Sequence, residues 1–492
     1  MNKVSICTTL PVYNNEPPFH PDFHYPELKF NETSSLSNFP YKSIRDLFFN
    51  LGFDKQNYGT PHWNPLSELI NPGETIVIKP NFVLSYHPQN KNVFSIITHP
   101  SILRAIIDYC YLALNGKGKI IIADAPQMDC SWNDLMAIQK LDSVISFYKI
   151  KFNFDIQIYD LRNFELIDNR KKAYSENRKK LDGDPLGSII INLGTDSEFY
   201  GIPNSNFYGA DLNRDETISH HNGQTQEYSI SKTILNADLV ISVPKMKVHK
   251  KVGVTLNLKG LVGINTNKNY LVHFRIGTPT NHGDQLPDNR SRYDRTFIKL
   301  QRYLYDKFLA KMTRKNDKIY KFALFIYNKL IKPIKKVSDE TIDLDGGNWF
   351  GNDTAWRMTS DLAKIFYFAD KNGVMHTSIQ RKMFSIVDGI IAGENKGPLS
   401  PDEKYTGCLV AGNDLFAVDL VTTRLIGFDY TKIRQFDVRY NKKFNFKIKD
   451  VGQIELNIND QKISASKFFK KDYLNCCYYF KPHPGWKNEI EL

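Results

Sequence analysis

Two short apolar runs with a helix-length segment between them constrain this chain more than any other feature. The first run, Thr75–Ile78 in ETIVIKPN, stops at Lys79, Pro80 and Asn81, as a buried strand running into a loop does. In THPSILRAIIDYCYLALNGKG, Pro100 or Ser101 can open a helix. Ile102, Ile106, Tyr109 and Ala113 line one face of it, and Gly116 suits its end. The second run, KIIIADAP, reads as another buried strand. Strand, helix and strand in that order need a crossover, so the sheet is expected to be parallel and helix-covered.

With 492 residues the chain holds two to four domains' worth at about 150 residues each. Its 41% hydrophobic and 24% charged residues fit a folded protein and exclude a disordered one. We expect an α/β protein of two lobes, with parallel or mixed sheets and flanking helices. Residues 1–60 read as an irregular arm with a short helix (Tyr41–Leu51), and 61–290 as the α/β core lobe. Residues 291–340 read as a basic helical insertion, and 341–430 as a second α/β part completing a cleft. In 431–492, KFNFKIKD and QIELNIND alternate apolar and polar residues, which predicts a small β element.

The six cysteines, at 7, 110, 130, 408, 476 and 477, form no C-x-x-C pair. They therefore predict neither a disulfide framework nor a zinc ribbon nor an iron–sulfur cluster motif, and are read as reduced thiols of a cytoplasmic protein. The first residues lack a signal-peptide core, and no run of about 18 apolar residues predicts a spanning helix.

Lys and Arg outnumber Asp and Glu by 65 to 53, a net charge of +12. Residues 291–340 carry fourteen Lys/Arg against five Asp/Glu, an excess of nine, so three quarters of that charge sits in a tenth of the chain. Phe297, Leu300, Leu304, Phe308 and Met312, then Phe322, Phe325, Ile326 and Leu330, recur at helical spacing. Two basic amphipathic helices are predicted. They would form either a solvated hairpin packed on the body or a docking element for an anionic membrane surface, at the membrane's inner face. No nucleic-acid motif supports a nucleic-acid partner, and nothing bears on oligomeric state.

The chemistry-bearing residues concentrate in VPKMKVHKKVGVTLNLKGLVGI. If the chain stays extended past Pro244, Lys245, Lys247 and His249 share one face, because strand side chains alternate. Thr255 and Lys259 follow among Gly253, Gly260 and Gly263. Lysines and a histidine at the end of a parallel strand lie where open α/β sheets bind ligands, and glycines let backbone approach an anion. Lys79, Asn81, Asp124, Asp388 and Glu394 also follow strands, and edges of one cleft would give each a partner. His99 either caps the helix or enters the cleft. His273, with Arg275, His282 and Asp284 behind it, is either a structural or substrate-binding residue or, with His249, a ligand for a divalent metal. Asp353 and Arg357 are expected one helical turn apart in a loop over the cleft, or in a plain turn. Asp419, on an apolar helix, is expected in a structural salt bridge. No Walker or dinucleotide fingerprint is present, so local pattern does not imply a nucleotide cofactor.

Taken together, IVIKPN, THPSILRAII, IIIADAP, ADLVISVPKMKVHKKVGVTLNLKGLVG, IVDGIIAGENKGP and AGNDLFAVD resemble the family called domain of unknown function 362, over roughly residues 70–430. Many relatives in that family carry cysteine-rich iron–sulfur segments, which this chain lacks. A second, more distant resemblance is to the nickel-pincer lactate racemase superfamily, through Asn81, His99, His249, Lys259 and His273. There the cofactor is a lysine-tethered nickel-pincer nucleotide, and histidines shuttle a proton at a hydroxyl-bearing carbon. What it implies here is a shared cleft centred on His249 and Lys259, and, at most, a nucleotide-type cofactor.

The expected function is an enzyme acting on a small anionic or sugar-derived substrate. Lys245, Lys247 and Lys259 would hold its carboxylate or phosphate, His249 would serve as acid/base, and Asp388 and Glu394 would face them. Proton abstraction beside a carbonyl, or redox at a hydroxyl-bearing carbon, suits such a site. The alternatives are a non-catalytic membrane-surface protein for a phosphorylated or lipid-linked glycan precursor, and a metal-dependent redox protein.

Overall fold

The computed structural model describes residues 2–167, 177–210, 214–304, 343–473 and 477–492, with Asp306, Phe322 and Phe325. The crossover unit forms as its sequence requires. Strand β2 (Thr75–Pro80) leads into helix α2 (Pro100–Leu114), and the chain returns through β3 (Lys119–Asp124), parallel to β2. His99 caps α2, its Nδ1 accepting from Ser101 N at 3.2 Å, and Pro100 takes the first helical position, where no N–H is needed.

One mixed sheet of eleven strands organises the molecule. Strand β4 (Ile156–Asp160) lies at one edge, beside β3. On the other side of β2 comes β5 (Leu239–Val243), then the long β8 (Lys382–Glu394) and β9 (Asp402–Gly412). The pairs from β4 through β3, β2 and β5 to β8 are parallel, and β9 turns back antiparallel. Strand β1 (Asn2–Thr8) pairs with β9, so the first residues, expected to be irregular, are a strand inside the sheet. Val4 and Ile6 are buried on one face of it. Beyond it a hairpin of β10 (Ile454–Ile458) and β11 (Gln461–Ser464) completes the order. QIELNIND thus extends the main sheet instead of making a separate one. KFNFKIKD forms no strand; Phe444, Phe446 and Ile448 plug into the core.

Alternation along the strands makes two cores. Ile76, Ile78, Ile120 and Ile122 face α1 (Phe39–Asn50) and α2. Val77, Ile121 and Val240 face the opposite layer, with α5 (Ala355–Phe368) and α6 (Leu415–Leu425). Of the basic insertion, α4 (Arg292–Leu304) is described. It buries Ile298 against Leu286 and Leu344 and leaves Leu300, expected on the packed face, exposed. The second expected helix lies outside the described residues, apart from Phe322 and Phe325, which are exposed. Among the described residues no helix is long and apolar enough to cross a membrane.

The sheet carries the lysine-rich strand in an unusual way. After β5 the chain jogs at Pro244 and resumes as β6 (Lys245–His249), which pairs parallel with the second half of β8. Asp388 N donates to Pro244 O at 2.9 Å, and Lys245 then stands opposite Asp388. Their side chains form a fully buried ion pair at 3.0 Å. Removing one member leaves a buried charge alone, so Lys245→Met and Asp388→Asn should each cost about 3–5 kcal/mol. The double variant should cost less than the sum, and urea denaturation of the three proteins reads the difference.

Candidate functional site

The end of β6 turns through β7 (Gly253–Val254) into the one-turn helix α3 (Leu256–Gly260), which presents Lys259. The turn is tight. Leu256 sits at φ +42°, the left-handed region that a branched side chain avoids, and surrounding structure must hold it there. Asp419 on α6 does much of that holding. Its carboxylate accepts from Asn257 N at 2.9 Å, Asn257 Nδ2 at 2.7 Å and Leu258 N at 2.8 Å. The expected salt bridge of Asp419 does not form, because these donors occupy it. Burial pushes this carboxyl up to about 7, against the pull of the N–H donors.

Around Lys259 opens a cleft of about 500 Å³ at the ends of β2, β3 and β6. From the sheet come Lys79, Asn81, Asp124, Lys247 and His249; from the turn, Thr255 and Lys259; from the segment after it, Lys268 and His273. Asp345, Gly346 and Arg302 of α4 border its other side. Of the residues singled out in the sequence, the cleft brings together Lys79, Asn81, Asp124, Lys247, His249, Thr255, Lys259 and His273.

Three expected site residues lie elsewhere. Lys245 and Asp388 are paired behind the cleft, not in it, and Asp388 also accepts from Tyr13 Oη at 2.6 Å and from His99 N at 3.0 Å. His99, stacked on Tyr13 with ring centroids 3.9 Å apart, belongs to that buried network as well as to the helix cap. Glu394 accepts from Lys481 N and pairs with Lys404 at 3.3 Å. The reason is register: β6 resumes beside β8 in the same register as β5, so Asp388 falls directly beside Lys245, and the strands slip only between Lys245 and Lys247.

Within the cleft, spent and unspent groups differ. Lys79 pairs with Asp124 at 2.9 Å, and Asp124 also accepts from Phe82 N. Gly263 makes that pair fit: a Cβ there would overlap the Asp124 carboxylate and come within 2.6 Å of Lys79 Nζ. Lys268 donates to Val262 O and Asn265 O, and Lys251 to Gly346 O. Arg302 pairs with Asp345 at 3.2 Å and lies over the stacked rings of Tyr208 and Phe274. Lys247 donates to Ile96 O at 2.6 Å and keeps two N–H. In contrast, Lys259 Nζ and the Asn81 side-chain amide make no hydrogen bond among the described residues, and the buried Thr255 Oγ1 has no partner there either.

The two histidines are neutral and of opposite tautomer. Lys251 N donates to His249 Nδ1 at 3.0 Å, so the His249 proton sits on Nε2. His273 Nδ1 meets Leu271 O at 3.0 Å, and a carbonyl only accepts, so the His273 proton sits on Nδ1 and Nε2 is a lone pair. Burial and then Lys259 hold His249 well below the usual imidazole range, and the same causes bring His273 down to about 3. Burial, followed by Lys79, brings the Lys259 ammonium down to about 8. Burial and neighbouring lysines lower Lys247 as well.

Lys268, Arg302 and Tyr13 are contributors that the sequence pattern did not mark out, whereas Asp345 lies in the glycine-rich stretch expected to close over the cleft. Lys268 had a signal, nine residues past Lys259; Arg302 lies in the segment expected to be either a solvated hairpin packed on the body or a membrane-docking element. Asp353 and Arg357 do pair, at 2.9 Å, and Arg275 and Arg434 join the same carboxylate. The metal reading of His249 and His273 finds no support, because among the described residues no three His, Cys, Asp or Glu side chains could hold an ion together. The described cysteines are free thiols, all buried except Cys477, which is part-exposed.

The family model of Domain of unknown function (DUF362) matches residues 76–169 and 186–424. The chain belongs to this family. No protein of curated function matches the sequence. The match speaks for that family alone and does not confirm the likeness to the lactate racemase superfamily.

Two outcomes follow for the cleft. In the free protein the imidazole proton signals of His249 and His273 should not titrate between pH 5 and 8. His273 stays neutral over that window because its folded value lies near 3, His249 is held well below the usual imidazole range by burial and Lys259, and added phosphate should raise both by neutralising the lysine field. Asp419→Ala should leave Asn257 N and Leu258 N unpaired and cost about 1–3 kcal/mol in urea denaturation.

Proposed function

We propose that the protein is an enzyme that moves a proton on a small anionic substrate bearing a carbonyl or hydroxyl group. The observation that carries this reading is the pair of neutral cleft histidines of opposite tautomer. His249 offers an N–H to a substrate oxygen, as a neutral imidazole does when it polarises a carbonyl. His273 offers a lone pair to the proton on the neighbouring carbon.

The lysines explain how so weak a base becomes useful. In the free cleft, burial and Lys259 keep His273 unprotonated. A bound carboxylate or phosphate cancels part of that positive field, and the affinity of His273 for a proton rises as the substrate arrives. Lys247, with N–H to spare, is the nearest candidate to hold the anion. Thr255 Oγ1 and the Asn81 amide supply neutral hydrogen bonds, which fix orientation.

The test uses the intact protein in D2O with a panel of 2-oxo acids, 2-hydroxy acids and sugar phosphates. Proton NMR should show loss of the C–H signal beside the carbonyl or hydroxyl carbon for at least one of them. His273→Asn and His249→Asn should each slow that loss by about 10²–10⁴-fold. Equal exchange in wild type and both variants would remove the reading.

A further inference from the structure

Lys259 is placed unlike any other cation of the cleft. Lys79 is spent on Asp124, Lys268 on two carbonyls, Lys251 on Gly346 O and Arg302 on Asp345. Lys259 Nζ has no hydrogen-bonding or ionic partner among the described residues, although its helix is among the most firmly fixed pieces of the site. A structural lysine would be paired, and a merely solvated one would not need its helix to donate three hydrogen bonds to Asp419 to be located.

We propose that Lys259 is a nucleophile that forms an imine with a 2-oxo acid bound in this cleft. The proposal rests on the reading of the cleft as a site for an anionic carbonyl substrate. The Lys259 amine lone pair attacks the carbonyl carbon, and the C=O π pair moves to oxygen, which the His249 Nε2–H steadies. His273 Nε2 takes a proton from the new C–N nitrogen and returns it to that oxygen, giving a neutral carbinolamine. A second proton, from solvent through His273, lets the hydroxyl leave as water while the nitrogen lone pair forms the C=N bond. Amine, carbonyl and one proton thus become iminium and water, with no oxidant or reductant. The carboxylate of the acid lies near Lys247.

The charge environment favours the amine. The groups that face Lys259 are Lys79, Lys247, Lys268, His249, His273 and Asp124, and the net effect with burial is an ammonium that loses its proton near pH 8. Its amine fraction at pH 8 is therefore far larger than that of an ordinary lysine titrating near ~10.4.

The full-length protein is incubated with pyruvate and sodium cyanoborohydride across pH 6–10, and the adduct is mapped by peptide mass spectrometry. Trapping at Lys259 should run at least ~10-fold faster than at the exposed lysines at pH 8, should outrun Lys251 and Lys268, which are lowered to about 7 but spent on carbonyl oxygens, and should level off above a midpoint near 8. Lys259→Arg, which keeps the charge, should lose both the adduct and any deuterium exchange with pyruvate. Thermal unfolding of that variant checks that it folds, and Lys259→Met serves if it does not. If Lys259→Arg still exchanges deuterium and wild type shows no preferred adduct, the covalent step falls while the proton-transfer reading stands. An adduct confined to Lys259 with no exchange in wild type does the reverse. An adduct spread evenly over the lysines, with no preference for Lys259, overturns the proposal.

Discussion

The ion pair between Lys245 and Asp388 is the constraint on which the rest hangs. Neither side chain reaches solvent, so neither charge is tolerable without the other. Asp388 is further bound by Tyr13 from the N-terminal arm and by the backbone of His99, and Lys245 also donates to the Tyr13 hydroxyl at 2.7 Å. Four remote pieces of chain thus meet at one carboxylate: the arm, the start of α2, the jog after β5 and the middle of β8. Every position that brings His249 to the cleft is measured from that junction, because His249 lies on the same five-residue strand as Lys245.

In front of that junction the electrostatics invert. Behind, each charge is matched; in the cleft, cations outnumber carboxylates and several are buried. Such a site is expensive in the free protein, and lowered lysine and histidine proton affinities are the form the expense takes. An anion relieves it. On the proposed reading, the same residues that weaken the empty fold would supply binding free energy to a negatively charged ligand, and proton affinity in the cleft would follow occupancy.

The frame was legible in the sequence because it rests on local signals. The βαβ unit shows in two apolar runs and a capped helix, and the alternation of Lys245, Lys247 and His249 places all three on one side of a strand. What the sequence hid was register. Nothing in VPKMKVHKK or IVDGII tells that β6 pairs with β8 in the register of β5, which sets Lys245 against Asp388 and takes both out of the cleft. The N-terminal strand was hidden too, because NKVSICT alternates weakly and pairs with residues some four hundred positions away. Thr255, Lys259 and His273 were legible as candidates, but their division into spent and unspent groups depends on carbonyls such as Ile96 O and Leu271 O, which have no sequence signature.

Asp419 lies on α6, a fully buried helix whose residues look like ordinary packing. Its hydrogen bonds make that helix the ruler against which Lys259 is set. Inserting a single residue into α6 ahead of Asp419 would rotate the carboxylate by about 100° around the helix axis. The helix would keep an apolar face for its core, yet the ruler would point elsewhere. In this fold, then, a buried packing helix sets the position of Lys259, and insertions tolerated as scaffold drift would register first as a displaced side chain in the cleft.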